Sequence, residues 1–246
     1  MGKRKNKTNG SNASSTAPQT KTKSSTAIPT DLLLATTPHY KFGKIQCLSP
    51  GTVWIQSNFF APAECQAWID WTHHDSASWE YTAQRATRYM AHRECFRIQR
   101  NDDRVARAIF DRLQQSGLLA VLQRELSFAH AHDDDSAYQA VACNPNIRLY
   151  QYGKNMSFGK HVDGSNETAV GRTEITLLVY LSQCQGGATR FYPALDGKKN
   201  ASFCFAPQVG AVLLHVHGDR CLEHEADPVI SGTKYVLRSD VCYRRI

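Results

Sequence analysis

The sequence predicts an α+β fold in which N-terminal helices support a β-sandwich or jelly-roll core. Three observations carry this. Beyond about residue 141, short β-rich runs follow one another (NIRLYQY, EITLLVYL, ATRFY, SFCFA, AVLLHVH, TKYVLRSDVCY), most of them separated by Gly or Pro. Before them lie two stretches with apolar residues at helical spacing. The chain opens on a polar tail without an apolar stripe.

That tail, MGKRKNKTNGSNASSTAPQTKTKSS, holds too little apolar surface to offset ordering entropy, and residues 1–38 are expected to be disordered. It also distorts the charge. The formal net charge is +7, but residues 1–30 contain Lys3, Arg4, Lys5, Lys7, Lys21 and Lys23 and no acid, which leaves 23 basic and 22 acidic residues, a net of +1, in the remainder. The folded part is nearly neutral, so nucleic acid is not an expected partner. No run of about 18 apolar residues is present, so no membrane partner is expected. The tail lacks an apolar h-region, and Asn6 stands where a myristoylation pattern wants Ser or Thr. The basic cluster Lys3–Lys7 reads equally as a nuclear-import patch and as a solvated arm, and the expected localisation is cytoplasmic or nuclear. Eight cysteines without a C-x-x-C pair are expected to be reduced thiols, and the sequons at Asn6, Asn9 and Asn12 then carry no weight.

Order is expected from near His39. TVWIQSNFF (52–60) alternates like a strand. Pro62 opens a helix with Glu64 in its first turn and Cys65, Trp68, Ile69 and Thr72 at helical spacing. Asp102 and Asp103 precede a second amphipathic helix through Val105, Ile109 and Leu113. Leu118, Leu119 and Leu122 continue the helical pattern, and HAHDDDSA (130–137) reads as a polar loop. Residues 39–140 thus form a support region, and 141–246 the jelly-roll domain.

FGKHVDG (158–164) places an imidazole and a carboxylate two residues apart. On a strand, His161 and Asp163 share a face and can converge on one metal ion. A third ligand is offered by His224, in LEHEADPVISGTKYVLR. Two histidines and one carboxylate are the facial set of non-haem Fe(II) oxygenases, which leaves coordination positions for a bidentate keto acid and for dioxygen. Such a keto acid needs a cation for its distal carboxylate, and Lys234, ten residues beyond His224, can supply it.

In order, the chain carries F-x-x-H-x-D (158–163), G-G-x-T-x-F (186–191), P-x-x-G (207–210) and H-(x9)-K (224–234). This set resembles the Fe(II)/2-oxoglutarate-dependent dioxygenases, specifically the prolyl 4-hydroxylase-like catalytic domain, over roughly residues 141–246. The resemblance implies a double-stranded β-helix (jelly roll) with His161, Asp163 and His224 as metal ligands and Lys234 as the 2-oxoglutarate anchor. It implies Fe(2+), 2-oxoglutarate and O2 as cofactor and co-substrates, ascorbate as a supporting reductant, and release of succinate and CO2. Tyr152 falls where the family places a tyrosine of the co-substrate pocket. Phe158 departs from the tyrosine of several members and cannot donate a hydrogen bond. Asp163 argues against halogenation, because related halogenases lack that carboxylate.

Rivals stay open at this point. Arg238 lies four residues past Lys234, on the same strand face, and is an alternative anchor. His215 and His217 read as polar strand residues or as groups behind the ligands, and HAHDDD (130–135) as a solvated loop. Arg148 either lines the pocket or pairs with an acid. RYMAHRECFRIQR (88–100) reads as solvated surface, although it could receive an acidic substrate. The expected function is a dioxygenase hydroxylating a protein residue, prolyl or other, or a small molecule. The alternatives are a non-catalytic metal-binding jelly-roll (cupin-like) module and a zinc hydrolase using the same ligands.

Overall fold

A computed structural model of the chain describes residues 28, 32, 40–74, 78–126, 138–193 and 202–246. The polar loop expected at 130–137 lies outside them, as does all of the expected tail 1–38 except Ile28 and Leu32. Those two correct the expectation of disorder at their positions: both are buried in the main core, and Arg104 Nη2 donates to the Ile28 carbonyl at 2.9 Å. The Ile28 and Leu32 side chains find a place in the principal core that composition alone does not reveal.

The support region opens with a hairpin of β1 (Ile45–Ser49) and β2 (Val53–Gln56). The strand expected over 52–60 stops at Gln56. Phe59 and Phe60 turn inward, both N–H groups donating to the Gly210 carbonyl at 2.7 and 2.9 Å. Helix α1 (Pro62–Thr72) starts on Pro62, and the Glu64 carboxylate accepts the Ala61 N–H at 2.7 Å. A second hairpin, β3 (Glu80–Gln84) with β4 (Arg93–Asn101), corrects the reading of 88–100 as solvated surface. Cys95 and Ile98 are buried on opposite faces of β4, and a strand covered on both sides shows no clean alternation. Helix α2 (Asp103–Gln115) is capped by the Asp102 carboxylate, which accepts from Arg104 N and Val105 N, and α3 (Leu118–Glu125) follows Gly117.

The rest of the chain is β: β5 (Tyr138–Cys143), β6 (Asn146–Tyr152), β7 (Phe158–His161), β8 (Glu167–Thr168), β9 (Gly171–Tyr180), β10 (Gln185–Gly186), β11 (Thr189–Tyr192), β12 (Phe203–Phe205), β13 (Val212–Val216), β14 (Glu223–Ala226), β15 (Val229–Ser231) and β16 (Lys234–Arg245). The main sheet runs β1, β2, β13, β9, β16, β6, β4, β7, β14, β11, β12, and its strands pair antiparallel. This is the jelly-roll core. It does not break at the expected boundary of 140/141: β5 spans it, and β4 lies between β6 and β7.

Period-two alternation sorts the central strands into two faces. Ile147, Leu149, Leu177, Val179, Leu214 and Leu237 face the helices and join Trp54, Trp68, Ile109 and Leu113 in the principal core. The alternate residues Tyr150, Tyr152, Thr176, Leu178, His215, Lys234, Val236 and Arg238 face the opposite way and line a common cavity.

One buried ion pair ties α2 to the start of α1. Arg112, 1% exposed, holds Glu64 through two bonds of 2.7 Å and donates to the Phe59 carbonyl at 3.0 Å. Replacing Arg112 with Ala leaves the Glu64 carboxylate and that carbonyl without their partner. Because Glu64 is partly exposed and keeps the Ala61 N–H, stability is expected to drop by about 1–3 kcal/mol, read from the urea midpoint at unchanged m-value. A loss under about 1 kcal/mol would show the pair to be dispensable.

Candidate metal centre

β7 and β14 pair so that His161 lies directly opposite His224, and β11 pairs with β14 so that Phe191 lies opposite His224 on its other side. The two imidazoles stand with ring centroids 4.2 Å apart. Phe158 stacks on His161 at 3.7 Å, and Phe191 stacks on His224 at 5.4 Å. Both rings are fixed in the same way: His161 Nδ1 is 2.8 Å from the Gly159 carbonyl, and His224 Nδ1 is 2.9 Å from the Leu222 carbonyl. A carbonyl only accepts, so each Nδ1 carries the proton and each Nε2 keeps a lone pair.

Asp163 reaches the same place by a route the sequence did not give. β7 ends at His161, so the carboxylate is not carried on the strand face. The loop beyond is held by Gly218 N donating to the Asp163 carbonyl at 2.9 Å. Asp163 Oδ2 accepts from Thr176 Oγ1 at 2.6 Å and from Arg238 Nη2 at 2.9 Å, while Oδ1 lies 3.8 Å from His161 Nε2. His161, Asp163 and His224 each offer one ligand atom within 4.8 Å of the others.

Charge favours metal binding. Burial, aided by the neighbouring His224, pushes His161 down to about 4, and burial also lowers His224, so both imidazoles are neutral donors at neutral pH. Burial opposes the Asp163 charge, but Arg238 and the adjacent imidazoles outweigh it and hold the carboxyl well below the usual range. Two neutral imidazoles with free Nε2 lone pairs and one ionised carboxylate fit a hard-to-borderline divalent ion such as Fe(II).

The two anchor candidates differ in what they already hold. Arg238 gives its guanidinium to Asp163, to Thr176 Oγ1 at 3.1 Å and to Asp240 at 3.4 Å. Lys234 is 3% exposed and lies opposite Tyr152 across β16 and β6. Its ammonium donates to the Gly187 carbonyl at 2.7 Å, 5.5 Å from the Tyr152 ring centroid. Gly186 and Gly187 make the expected turn, with φ of 76° and 64°. Burial brings Lys234 down to about 8. Lys234, Tyr152, Tyr150, Leu178 and Val236 share one cavity with the three candidate ligands.

Arg148 pairs with Asp240 at 2.5 Å. His217 lies behind the site, 2.7 Å from Thr176 Oγ1. Thr176, Leu178 and Glu225 line the cavity without a signal in the sequence; only the register of β9 and β14 against their neighbours puts them there.

Residues 147–239 match the family model described as 2OG-Fe(II) oxygenase superfamily. No curated protein matches the chain. Among solved structures, a Pseudomonas putida prolyl-4-hydroxylase is similar with a TM-score of 0.50 and 17% identity, over 80% of this chain and 94% of that one. A Trichoplax adhaerens prolyl hydroxylase, in complex with a hypoxia inducible factor peptide fragment, is similar with a TM-score of 0.52 and 16% identity, over 78% and 84%. At such identities the likeness is one of fold. Among the described residues no helix is long and apolar enough to cross a membrane.

The depressed imidazoles make the metal-free protein acid-sensitive. Unfolded histidines take up protons near pH 6.5, whereas folded His161 resists until about 4. The unfolded state therefore binds more protons across that window, and stability falls as pH falls through it. His161 alone removes about 3 kcal/mol by pH 4, at about 1.4 kcal/mol per unit. Urea melts of metal-free protein at pH 7, 5.5 and 4.5 check this; a flat profile would mean that the imidazoles are not desolvated.

Proposed function

We propose that the chain, whose residues 147–239 match the 2OG-Fe(II) oxygenase superfamily model, is a hydroxylase of that superfamily acting on a prolyl or other residue of a protein or on a small molecule, with His161, Asp163 and His224 holding Fe(II) and Lys234 anchoring 2-oxoglutarate. The observation that carries this reading is the pairing, in one cavity, of a facial donor set with a buried ammonium. A metal scaffold has no use for that ammonium.

Iron at this site would supply oxidative decarboxylation of 2-oxoglutarate to succinate and CO2, coupled to hydroxylation of a C–H bond. The protein's part is positional. His161 and His224 present Nε2 because their Nδ1 protons are committed to backbone carbonyls. Thr176 and Arg238 occupy Asp163 Oδ2, which leaves Oδ1 to face the metal. Lys234 meets the distal carboxylate of the co-substrate with a charge already stripped of water. Tyr150, Tyr152, Leu178 and Val236 line the cavity and exclude solvent. Ascorbate belongs in the assay as a supporting reductant. The two prolyl hydroxylases of like fold favour a peptide substrate.

Conversion of 2-oxoglutarate to succinate with Fe(II) tests the reading, with or without a substrate in hand. His161→Ala should abolish it. Lys234→Ala should weaken 2-oxoglutarate binding by roughly 10–100-fold, the 1.5–3 kcal/mol of a charged hydrogen bond, while metal uptake is unchanged. Affinity for 2-oxoglutarate should also fall as pH rises through about 8, because the neutral amine cannot pair with a carboxylate. The limiting slope is about tenfold per pH unit. A protein that takes up Fe(II) and 2-oxoglutarate yet consumes none, with any substrate tried, is the non-catalytic jelly-roll module instead.

A further inference from the structure

A second donor set shares His224. Cys221 precedes β14, and its Sγ lies 3.9 Å from His215 Nδ1 and 4.0 Å from His224 Nδ1. His215, Cys221 and His224 are all buried, and each offers a ligand atom within 4.8 Å of the others. A tetrahedral ion at about 2.3 Å from sulfur and 2.0 Å from nitrogen holds those two atoms about 3.5 Å apart. Closing by a few tenths of an ångström completes the set.

Two details prepare these residues for an ion. His215 is 2% exposed, and its Nε2 has no hydrogen-bond partner, yet it points at Asp163 Oδ2 from 3.6 Å. His215 Nδ1 also lies 3.4 Å from the Val216 carbonyl, a long contact for a proton to keep; an ion at Nδ1 takes the tautomer with the proton on Nε2, whose edge then faces the Asp163 carboxylate, which is the carboxylate–imidazole–metal arrangement. Burial pushes the Cys221 thiol up to about 11, and the Asp163 N–H, donating to Sγ at 3.2 Å, only partly opposes that, so the thiolate forms when a metal ion displaces the proton.

We propose that His215, Cys221 and His224 form a second metal site, for a thiophilic divalent ion of the zinc class, and that its occupation excludes the His161–Asp163–His224 set. A neutral imidazole has one lone pair. An ion on His224 Nδ1 displaces the proton now held against the Leu222 carbonyl; that proton moves to Nε2, and the ring is lost to the other set. The cysteine proton leaves to solvent. The site stands on its own geometry; its consequence for turnover rests on the oxygenase reading.

Cobalt(II) alone is the probe, titrated into metal-free protein. The expected result is a thiolate-to-cobalt charge-transfer band in the near ultraviolet, which nitrogen and oxygen donors cannot give. It should persist in His161→Ala and vanish in Cys221→Ser, or in Cys221→Ala where the serine variant does not fold. No band in the wild type, or a band that survives both cysteine variants, overturns the site. In the turnover assay, zinc should inhibit the wild type at a concentration at least about tenfold below that needed for Cys221→Ser; equal sensitivity overturns the exclusion. Turnover with no band defeats this inference alone, and a band with no turnover defeats the oxygenase reading alone.

Discussion

Everything the cavity can do depends on one register, that of β7 against β14. It sets His161 directly across from His224. Successive side chains alternate faces, so a slip of one residue would send one ring to the far side of the sheet and end their convergence. The register is guarded by what packs around it. Phe158 and Phe191 cover the two rings, and the backbone carbonyls two residues earlier in each chain segment hold their protons. One strand pairing thus fixes position, orientation and tautomer together.

Behind the rings lies a buried charge network. Asp163 and Asp240 share Arg238, and Asp240 also takes Arg148. Buried ions repay desolvation only when their hydrogen bonds are filled, and removing one member leaves the others exposed to the full penalty. This explains why Arg238, which by strand face alone rivals Lys234, is occupied: its charge is what permits a carboxylate to stay ionised at the site. The cavity consequently has neutral donors and a compensated acid at one end, and at the other a buried cation that forms no salt bridge among the described residues.

How much of this was legible differs residue by residue. The β-rich second half announced itself through runs and turn residues, and α1 and α2 through Pro62 and Asp102. Lys234, Val236 and Arg238 could be placed on one face because alternation within a strand is local. Their partners could not, because registers between strands distant in sequence leave no mark. Strand β4 was hidden by its arginines, whose charge masks two buried positions on opposite faces. Asp163 was placed beside His161 by an argument about strands; a loop does the work instead, pinned by Gly218. Cys221 carried no signal at all. Its significance arises from its turn, which the sequence does not fold by itself.

The burial that lowers Lys234 also shapes what the cavity accepts under the proposed reading. A desolvated ammonium is costly until an anion meets it. A neutral ligand filling the same space would leave that cost in place, whereas a carboxylate offsets it and draws the amine back to its charged form. Selection for an acidic co-substrate therefore does not require a large complementary surface. It requires one cation without a carboxylate partner, a glycine turn whose carbonyl holds the amine in place, and walls that keep water from doing the same service. Gly187 supplies the turn: a Cβ there would lie 3.3 Å from Lys234 Cδ and 3.0 Å from Cys184 Sγ. A side chain at this position would press on the anchor itself, so the freedom of one glycine and the selectivity of the pocket are the same constraint seen from two sides.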